Sequence, residues 1–301
     1  MSLVPASSLS RARAAEGPGR AARSAPERCE AGDLFHDYVL GGYAPLAPHE
    51  GKLRSVSLLV ESFALLGVEA EGLALVRRVR ESLGPFRTVW GIKHAPDRGI
   101  VGWELYFYDF QRARADLAVA RVREALSPVL AIDADEPHPL PWHMWSVEVG
   151  PSHLRGEAAA GIDVYVDMRS YKVRGREHTF ENVYTFHDPR AEVDAVLHRL
   201  RSSVHFDERR DNLGALMPPH LFRCGRLCVA NKRSADALYF SRIGGRAARA
   251  FAAAQNYPGE IVRFFDTNAA ELDHLLWDVG VDFRGDDGPL RVTKTSLYGS
   301  F

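Results

Sequence analysis

The chain of 301 residues carries 38 basic and 39 acidic side chains, and its formal net charge is −1. This balance excludes a fully disordered chain, and it excludes a nucleic-acid binder whose affinity comes from net charge. No run of about 18 apolar residues occurs, so the sequence predicts no membrane-spanning helix.

The first 32 residues are predicted to form a disordered N-terminal tail. They are rich in Ala, Arg, Ser and Pro and hold almost nothing to bury. They also lack the apolar stretch of a secretory signal, so we expect a cytoplasmic protein. The three cysteines, Cys29, Cys224 and Cys228, do not have the spacing of a zinc site, and we expect reduced, mostly buried thiols.

Residues 33–301 are predicted to form one domain in which helices alternate with pairs of antiparallel strands. We expect helices over 52–70, 71–83, 111–127, 188–203, 245–255 and 267–274. We expect strands over 86–93, 100–108, 145–149, 161–168, 170–173, 182–187, 226–232, 237–243, 276–283 and 290–297. The predicted fold class is therefore α+β, with repeated αββα units that form an antiparallel barrel of about ten strands surrounded by helices.

The two faces of the predicted strands differ in chemistry. In the strand over 100–108, for example, Trp103 and Leu105 alternate with Glu104 and Tyr106. The apolar face suits packing against helices, and in a closed barrel the polar face would line a lumen. A flat sheet with one solvated polar face is the alternative.

Lysine is scarce, with five Lys in a total of 38 basic residues, and four of the five lie in or beside different predicted hairpins. These four are Lys93, Lys172, Lys232 and Lys294. Lys294 shares its parity with the apolar Val292, so it needs a bulge or a strand end to reach the polar face. Lysines that converge in a lumen predict a site for a polyanion such as a diphosphate. The sequence contains no glycine-rich phosphate loop, which disfavours nucleotide hydrolysis.

Tyrosines occupy similar places in successive hairpins. They are Tyr106, Tyr108, Tyr165, Tyr239 and Tyr298. Electron-rich rings around a chamber stabilise a carbocation through their faces and shield it from water. A carboxylate such as Glu104 could then take the proton that an aromatic acceptor releases.

The histidines His138, His143 and His153 lie close together in the sequence. Their spacing does not match a zinc-protease helix, so we expect surface or hydrogen-bonded histidines, and a metal site is the alternative.

Three segments resemble hairpins of a known family: SVEVGPSHLRGEAAAGIDVYVDM (146–168), LFRCGRLCVANKRSADALYFSRI (221–243) and VTKTSLYGSF (292–301). Over roughly residues 50–301 the layout resembles the aromatic prenyltransferases with the ABBA barrel, and it is most similar to their cyanobactin peptide-modifying branch. The resemblance implies a soluble enzyme of secondary metabolism. Such an enzyme moves an isoprenyl group from dimethylallyl or geranyl diphosphate to an electron-rich aromatic small molecule or peptide side chain.

The resemblance also implies roles for individual residues. The diphosphate clamp would consist of Lys93, Lys172, Arg226, Lys232 and Lys294. The tyrosines that surround the substrate would be Tyr106, Tyr165, Tyr239 and Tyr298, and Glu104 would be the catalytic, acceptor-orienting carboxylate. No resident cofactor and no protein-bound metal are implied, and a requirement for Mg²⁺ stays open.

Two other functions fit the same residues. One is a non-catalytic barrel that binds an anionic small molecule or peptide, and the other is a partner-binding scaffold with an open sheet. Neither nucleic acid nor a membrane is an expected partner.

Overall fold

A computed structural model describes residues 25–111, 114–136, 140–285 and 288–301 of the chain. Its ten strands are β1 (Thr88–Ala95), β2 (Gly99–Tyr108), β3 (Met144–Val149), β4 (Ile162–Val166), β5 (Arg169–Arg174), β6 (Glu177–His187), β7 (Arg226–Lys232), β8 (Asp236–Gly244), β9 (Leu276–Arg284) and β10 (Arg291–Ser300). The α-helices among these residues are α1 (Val56–Leu65), α2 (Glu69–Leu83), α3 (Val119–Leu126), α4 (Pro151–Leu154), α5 (Val193–Arg201), α6 (Leu213–Leu216), α7 (Gly245–Ala254) and α8 (Gly259–Thr267).

The strands form a closed antiparallel barrel. Each strand pairs with its neighbours in the chain, and β1 pairs with β10 to complete the ring. The predicted α+β barrel of about ten strands is therefore confirmed, and the flat-sheet alternative is wrong. Closure leaves no open sheet edge, and it turns the inner face of every strand toward a common lumen.

The alternation along β2 shows why the chain folds this way. Trp103 and Phe107 face outward and are fully buried beneath the helices, where the Trp103 ring lies 4.6 Å from the Phe63 ring of α1. Trp103 Nε1 also donates a hydrogen bond of 2.7 Å to Ser62 Oγ. Tyr106 faces inward and belongs to a separate cluster of lumen side chains. The predicted division into an apolar outer face and a polar inner face is confirmed here.

The packed part of the chain begins ahead of residue 33, where the predicted domain starts. Arg28 forms an antiparallel bridge with Leu53, and Cys29 is buried with its Sγ 3.4 Å from His274 Nε2. Residues 1–24 of the predicted tail lie outside the described residues. Cys29, Cys224 and Cys228 are all free and buried, as predicted.

One helix lies elsewhere than predicted. We expected a helix over 267–274, but the helix in this region is α8 at Gly259–Thr267, and a short 3₁₀ turn follows at Ala269–Glu271. Pro258 precedes α8 with a φ of −47°, and Ile261 and Phe265 place one buried face on the barrel. No helix among the described residues has both the length and the apolar character needed to cross a bilayer.

Candidate ligand-binding lumen

Aromatic rings line a cavity of about 560 Å³ that opens at one end of the barrel. We call this the aromatic end. Its wall is formed by inward tyrosines of several strands and by a loop before α1. The strand tyrosines are Tyr106, Tyr165, Tyr184, Tyr239 and Tyr298, and the loop contributes Tyr38. Phe110 and Met168 are exposed at its rim. The lumen therefore offers an apolar, electron-rich surface to a ligand.

Two glycines, one on β1 and one on β9, make room for two of these rings. Gly91 lies opposite Tyr298, and Gly280 lies opposite Tyr239. A Cβ at either glycine would approach the facing ring to 2.7 Å. The rings therefore lie flat across the glycines, an arrangement that fixes each ring without a side-chain partner on the adjacent strand.

Charged side chains fill the other end of the lumen, which we call the ionic end. It contains the lysines Lys93, Lys172, Lys232 and Lys294 and the carboxylates Glu104, Asp163 and Asp282. The side chain of Lys93 is almost fully buried, whereas that of Lys294 is 34% exposed. The charged cluster thus extends from the middle of the barrel to the solvent at this end.

Lys93 and Glu104 form a buried ion pair across β1 and β2. Tyr106 Oη also donates to Glu104 Oε2 at 2.5 Å, and Ser146 Oγ donates to Glu104 Oε1 at 2.7 Å. Burial alone would raise the pKa of Glu104, but the Lys93 ammonium and these donors outweigh it and lower the pKa. Burial likewise opposes the charge on Lys93, and the Glu104 carboxylate raises the pKa of Lys93 well above its ordinary value.

Asp282 holds two lysines at the ionic end. Lys232 Nζ lies 2.7 Å and Lys294 Nζ 3.7 Å from Asp282 Oδ2. Burial would raise the pKa of Asp282, but the two ammonium groups lower it. Burial lowers the pKa of Lys232, whereas Asp282 raises that of Lys294.

Lys294 reaches the lumen through a bulge in β10. Val292 pairs with Phe283, and Lys294 pairs with Asp282, so the register shifts between the two β10 residues. The extra residue turns Lys294 inward although Val292 faces the helices. This is the irregularity that the parity of Lys294 requires.

Two hydroxyls connect the aromatic end to the ionic end. Lys93 Nζ donates to Tyr298 Oη, and Lys232 Nζ donates to Tyr239 Oη, each at 3.1 Å. The ammonium groups also lie 5.0 Å and 5.5 Å from the centroids of the same two rings. The hydrogen bonds of the described residues give neither hydroxyl an acceptor, so each phenol keeps its own proton to donate to a ligand.

The structure brings most of the predicted site residues together, but not all. Lys93, Lys232 and Lys294 share the ionic end, and Lys172 lies on β5 directly opposite Asp163. Arg226, in contrast, is at the far end of β7 from Lys232, roughly 20 Å away along the strand. It lines the aromatic cavity, and its guanidinium lies 5.9 Å from the Phe186 ring centroid. Arg226 therefore does not lie beside the lysines.

Sequence reasoning missed two features of the lumen. It assigned no counter-ion to Lys232, although Asp282 has the inward parity of β9 and signals that role. It also predicted neither a helix nor a strand ahead of residue 52, whereas Tyr38 enters the lumen and its ring lies 5.9 Å from Tyr239 and 5.8 Å from Tyr298. The loop around Tyr38 has no periodicity from which its position could be read.

The histidines do not gather around a metal position in the part of the chain that is described. His153 Nδ1 accepts a hydrogen bond of 2.8 Å from the Gly150 N–H, and the His143 ring stacks on Phe110 at 5.6 Å. His138 lies outside the described residues. No group of three or more metal-ligating side chains occurs among the residues described.

Comparison with protein-family models gives no match for the sequence, and comparison with curated proteins gives none either.

Proposed function

We propose that the chain is a prenyltransferase that moves an isoprenyl group from an allylic diphosphate, dimethylallyl or geranyl, to an electron-rich aromatic or peptide side-chain acceptor. The observation that supports this most is the contact between the two ends of the lumen. A cavity walled by tyrosine rings meets buried ammonium groups at the hydroxyls of Tyr239 and Tyr298. An allylic diphosphate has the same division into an apolar chain and an anion.

In this proposal the diphosphate binds at the ionic end and the isoprenyl chain at the aromatic end. Lys93 and Lys232 would donate to the phosphate oxygens together with the phenolic protons of Tyr239 and Tyr298. The allylic C–O bond breaks, the pyrophosphate takes the bonding electron pair, and these donors stabilise its added charge. The cation that remains lies among ring faces and away from water.

The acceptor would reach the cation through the open aromatic end. An electron-rich carbon or heteroatom of the acceptor attacks the cation, and the acceptor then loses a proton. Glu104 accepts hydrogen bonds from Tyr106 and Ser146 and forms an ion pair with Lys93. These three partners leave one of about four lone-pair positions on its two oxygens for a ligand. We assign Glu104 to orient the acceptor and to take this proton. A weakly basic carboxylate suffices because a protonated aromatic ring is a strong acid.

The charge of the ionic end bears on Mg²⁺. The four lysines of the ionic end carry four positive charges. Glu104, Asp282 and Glu148, which lies opposite Glu104 on β3, carry three negative ones, and Asp163 adds part of a fourth, so the group sums to +1 or less. One net charge does not balance a diphosphate. We therefore propose that the substrate binds as its Mg²⁺ complex, with the metal on the phosphates.

A transfer assay tests the proposal. The protein is incubated with dimethylallyl or geranyl diphosphate and with tryptophan, tyrosine or a short peptide, with and without Mg²⁺, and products are identified by mass spectrometry. We expect a product whose mass increases by one prenyl group. Glu104→Gln should slow transfer but spare diphosphate binding, and the outward-facing Tyr171→Phe serves as the control. Turnover in Glu104→Gln at the wild-type rate would exclude the catalytic role of Glu104.

Arg226 favours a second candidate, a non-catalytic barrel that binds an apolar anion or peptide. It places a cation on the wall of the aromatic cavity, away from the four lysines of the ionic end. Ligand binding with no product in any acceptor mixture would support this candidate over the enzyme. In either case we propose a cytoplasmic location, since free buried thiols suit a reducing compartment.

A further inference from the structure

A short loop before α1 covers one side of the aromatic cavity. We call residues 37–42 the lumen strap. His36 and Gly42 pair in an antiparallel bridge at its base, and Asp37 Oδ1 accepts hydrogen bonds from the N–H groups of Val39 at 3.2 Å and Gly41 at 2.7 Å. The strap is therefore a compact turn with its own internal bonds, and its residues 38–41 form part of the cavity wall.

The strap is attached to the barrel by buried polar groups. Arg242 Nε donates to Asp37 Oδ2 at 2.8 Å, and the Asp37 carboxylate is almost fully buried. The Tyr38 N–H donates to Asp278 Oδ2 at 2.7 Å, and Tyr108 Oη donates to the Tyr38 carbonyl at 2.6 Å. Both backbone groups of Tyr38 are thus held by inward side chains of the barrel, which fixes where its ring enters the lumen.

The Tyr38 ring occupies space that the strands leave empty. It stacks on Tyr239 and contacts Tyr298, and the β7 and β8 residues on its side of the lumen are small, namely Cys228, Ala230 and Ala237. Its hydroxyl is buried beside the thiol of Cys228. The ring is therefore positioned by its backbone and by packing, and it fills a hollow beside the tyrosines that line the cavity.

We propose that Tyr38 sets the length of the apolar chain that the lumen accepts. This inference rests on the proposed function, because it concerns the donor that the same lumen takes. With the Tyr38 phenol in place, the chain ends against the ring. Removing the phenol frees about the room of one isoprene unit, bounded by Cys228 and the two alanines, so a longer chain can extend into it.

The test uses thiolodiphosphate analogues of dimethylallyl and geranyl diphosphate, which bind without ionising readily. Their dissociation constants are measured by calorimetry in the presence of Mg²⁺ for the wild type and for Tyr38→Gly, Tyr38→Ala, Tyr38→Phe and the control Tyr171→Ala. We expect Tyr38→Gly and Tyr38→Ala to shift the ratio of affinities toward the geranyl analogue by about tenfold to 100-fold. Tyr38→Phe and Tyr171→Ala should keep the wild-type ratio.

The outcomes separate the two proposals. If the wild type binds the dimethylallyl analogue and the ratio stays unchanged in Tyr38→Ala, with its near-ultraviolet circular dichroism intact, Tyr38 does not set chain length. The Ala variant serves here if Tyr38→Gly fails to fold. If the wild type and all variants bind neither analogue, the proposed function is wrong, and the inference about Tyr38 fails with it.

Discussion

The two ends of the lumen use the same inward positions of the same strands for opposite purposes. At the aromatic end, rings pack on glycines and on one another and leave a cavity. At the ionic end, each buried carboxylate that carries a full charge has an ammonium partner, as Glu104 has Lys93 and Asp282 has Lys232. The contrast shows how a barrel can hold an open apolar chamber and a dense charged cluster within one wall.

The largest effect should come from breaking the buried ion pair at the ionic end. Lys93→Met leaves the Glu104 carboxylate buried without its cation, and we expect the free energy of unfolding to fall by about 3–5 kcal/mol. The double variant Lys93→Met/Glu104→Gln should recover most of that loss. Chemical denaturation measures both.

The exposed pair between Lys52 and Asp273 provides the matched control. Lys52→Met should change the free energy of unfolding by less than about 1 kcal/mol. Equal losses in the single and the double variants at Lys93 would show that the unpaired Glu104 carboxylate is not what destabilises the Lys93→Met variant.

Pyrophosphate should distinguish the two ends of the lumen. It lacks a chain for the aromatic end, so its affinity reports on the ionic end and on the phenol hydroxyls of Tyr239 and Tyr298 beside it. Lys232→Ala should weaken pyrophosphate binding by about tenfold to 100-fold, as expected for the loss of a charged hydrogen bond. Arg226→Ala should leave it unchanged because Arg226 is at the far end of β7. Titration calorimetry in the presence of Mg²⁺ measures the pyrophosphate affinity of each variant. An equal loss of affinity in Lys232→Ala and Arg226→Ala would argue against two distinct ends.

The aromatic end depends on close contact between rings and glycines. Gly280→Ala places a Cβ 2.7 Å from the Tyr239 ring, and we expect the displaced ring to lower the free energy of unfolding by about 1–3 kcal/mol. At Gly244, on the paired strand β8, a Cβ meets nothing within 4 Å, so Gly244→Ala should be nearly neutral. Urea denaturation of the two variants compares them, and similar stabilities would mean that the ring is free to move aside.

The smallest effect is expected from Asp163, the carboxylate opposite Lys172. Burial, with the nearby Glu104 charge, raises the pKa of Asp163 to about 7. The folded chain then keeps a proton that the unfolded chain loses above about pH 4, so the stability contributed by this group falls as the pH rises toward 7.

Asp163→Asn removes that titration. Relative to the wild type, the variant should gain about 1–2 kcal/mol on going from pH 4 to pH 8, after allowance for solvent screening. Thermal denaturation at both pH values gives the difference. A variant whose relative stability is the same at both would contradict the raised pKa.

The strands and their faces could be predicted from the sequence because side-chain alternation holds along most of the strands. The predicted strand over 226–232 matches β7, and Glu104 and Tyr106 face inward as their parity indicates. The parity of Lys294 also indicated that it could face inward only through a bulge, and β10 contains this bulge.

The remaining features of the site depend on where the strands and loops place residues in three dimensions, which the sequence pattern does not give. Parity places Arg226 and Lys232 on one face but says nothing of their separation, and the rise of a strand puts them at opposite ends of the lumen. The pairing of Lys93 with Glu104 needs the register of β1 and β2. The position of Tyr38 could not be predicted, because it lies in a loop without periodicity. Its backbone is held by hydrogen bonds to Asp278 and Tyr108, which lie on strands far away in the sequence.

The central claim is that one ligand spans both ends of the lumen, and a comparison of two dissociation constants tests it most directly. Calorimetry with Mg²⁺ would compare pyrophosphate with the dimethylallyl thiolodiphosphate. We predict that the dimethylallyl compound binds about tenfold to 100-fold more tightly, since burial of a leucine-sized apolar group contributes about 1.5–3 kcal/mol. Equal affinity for the two, or binding of neither, would contradict the account.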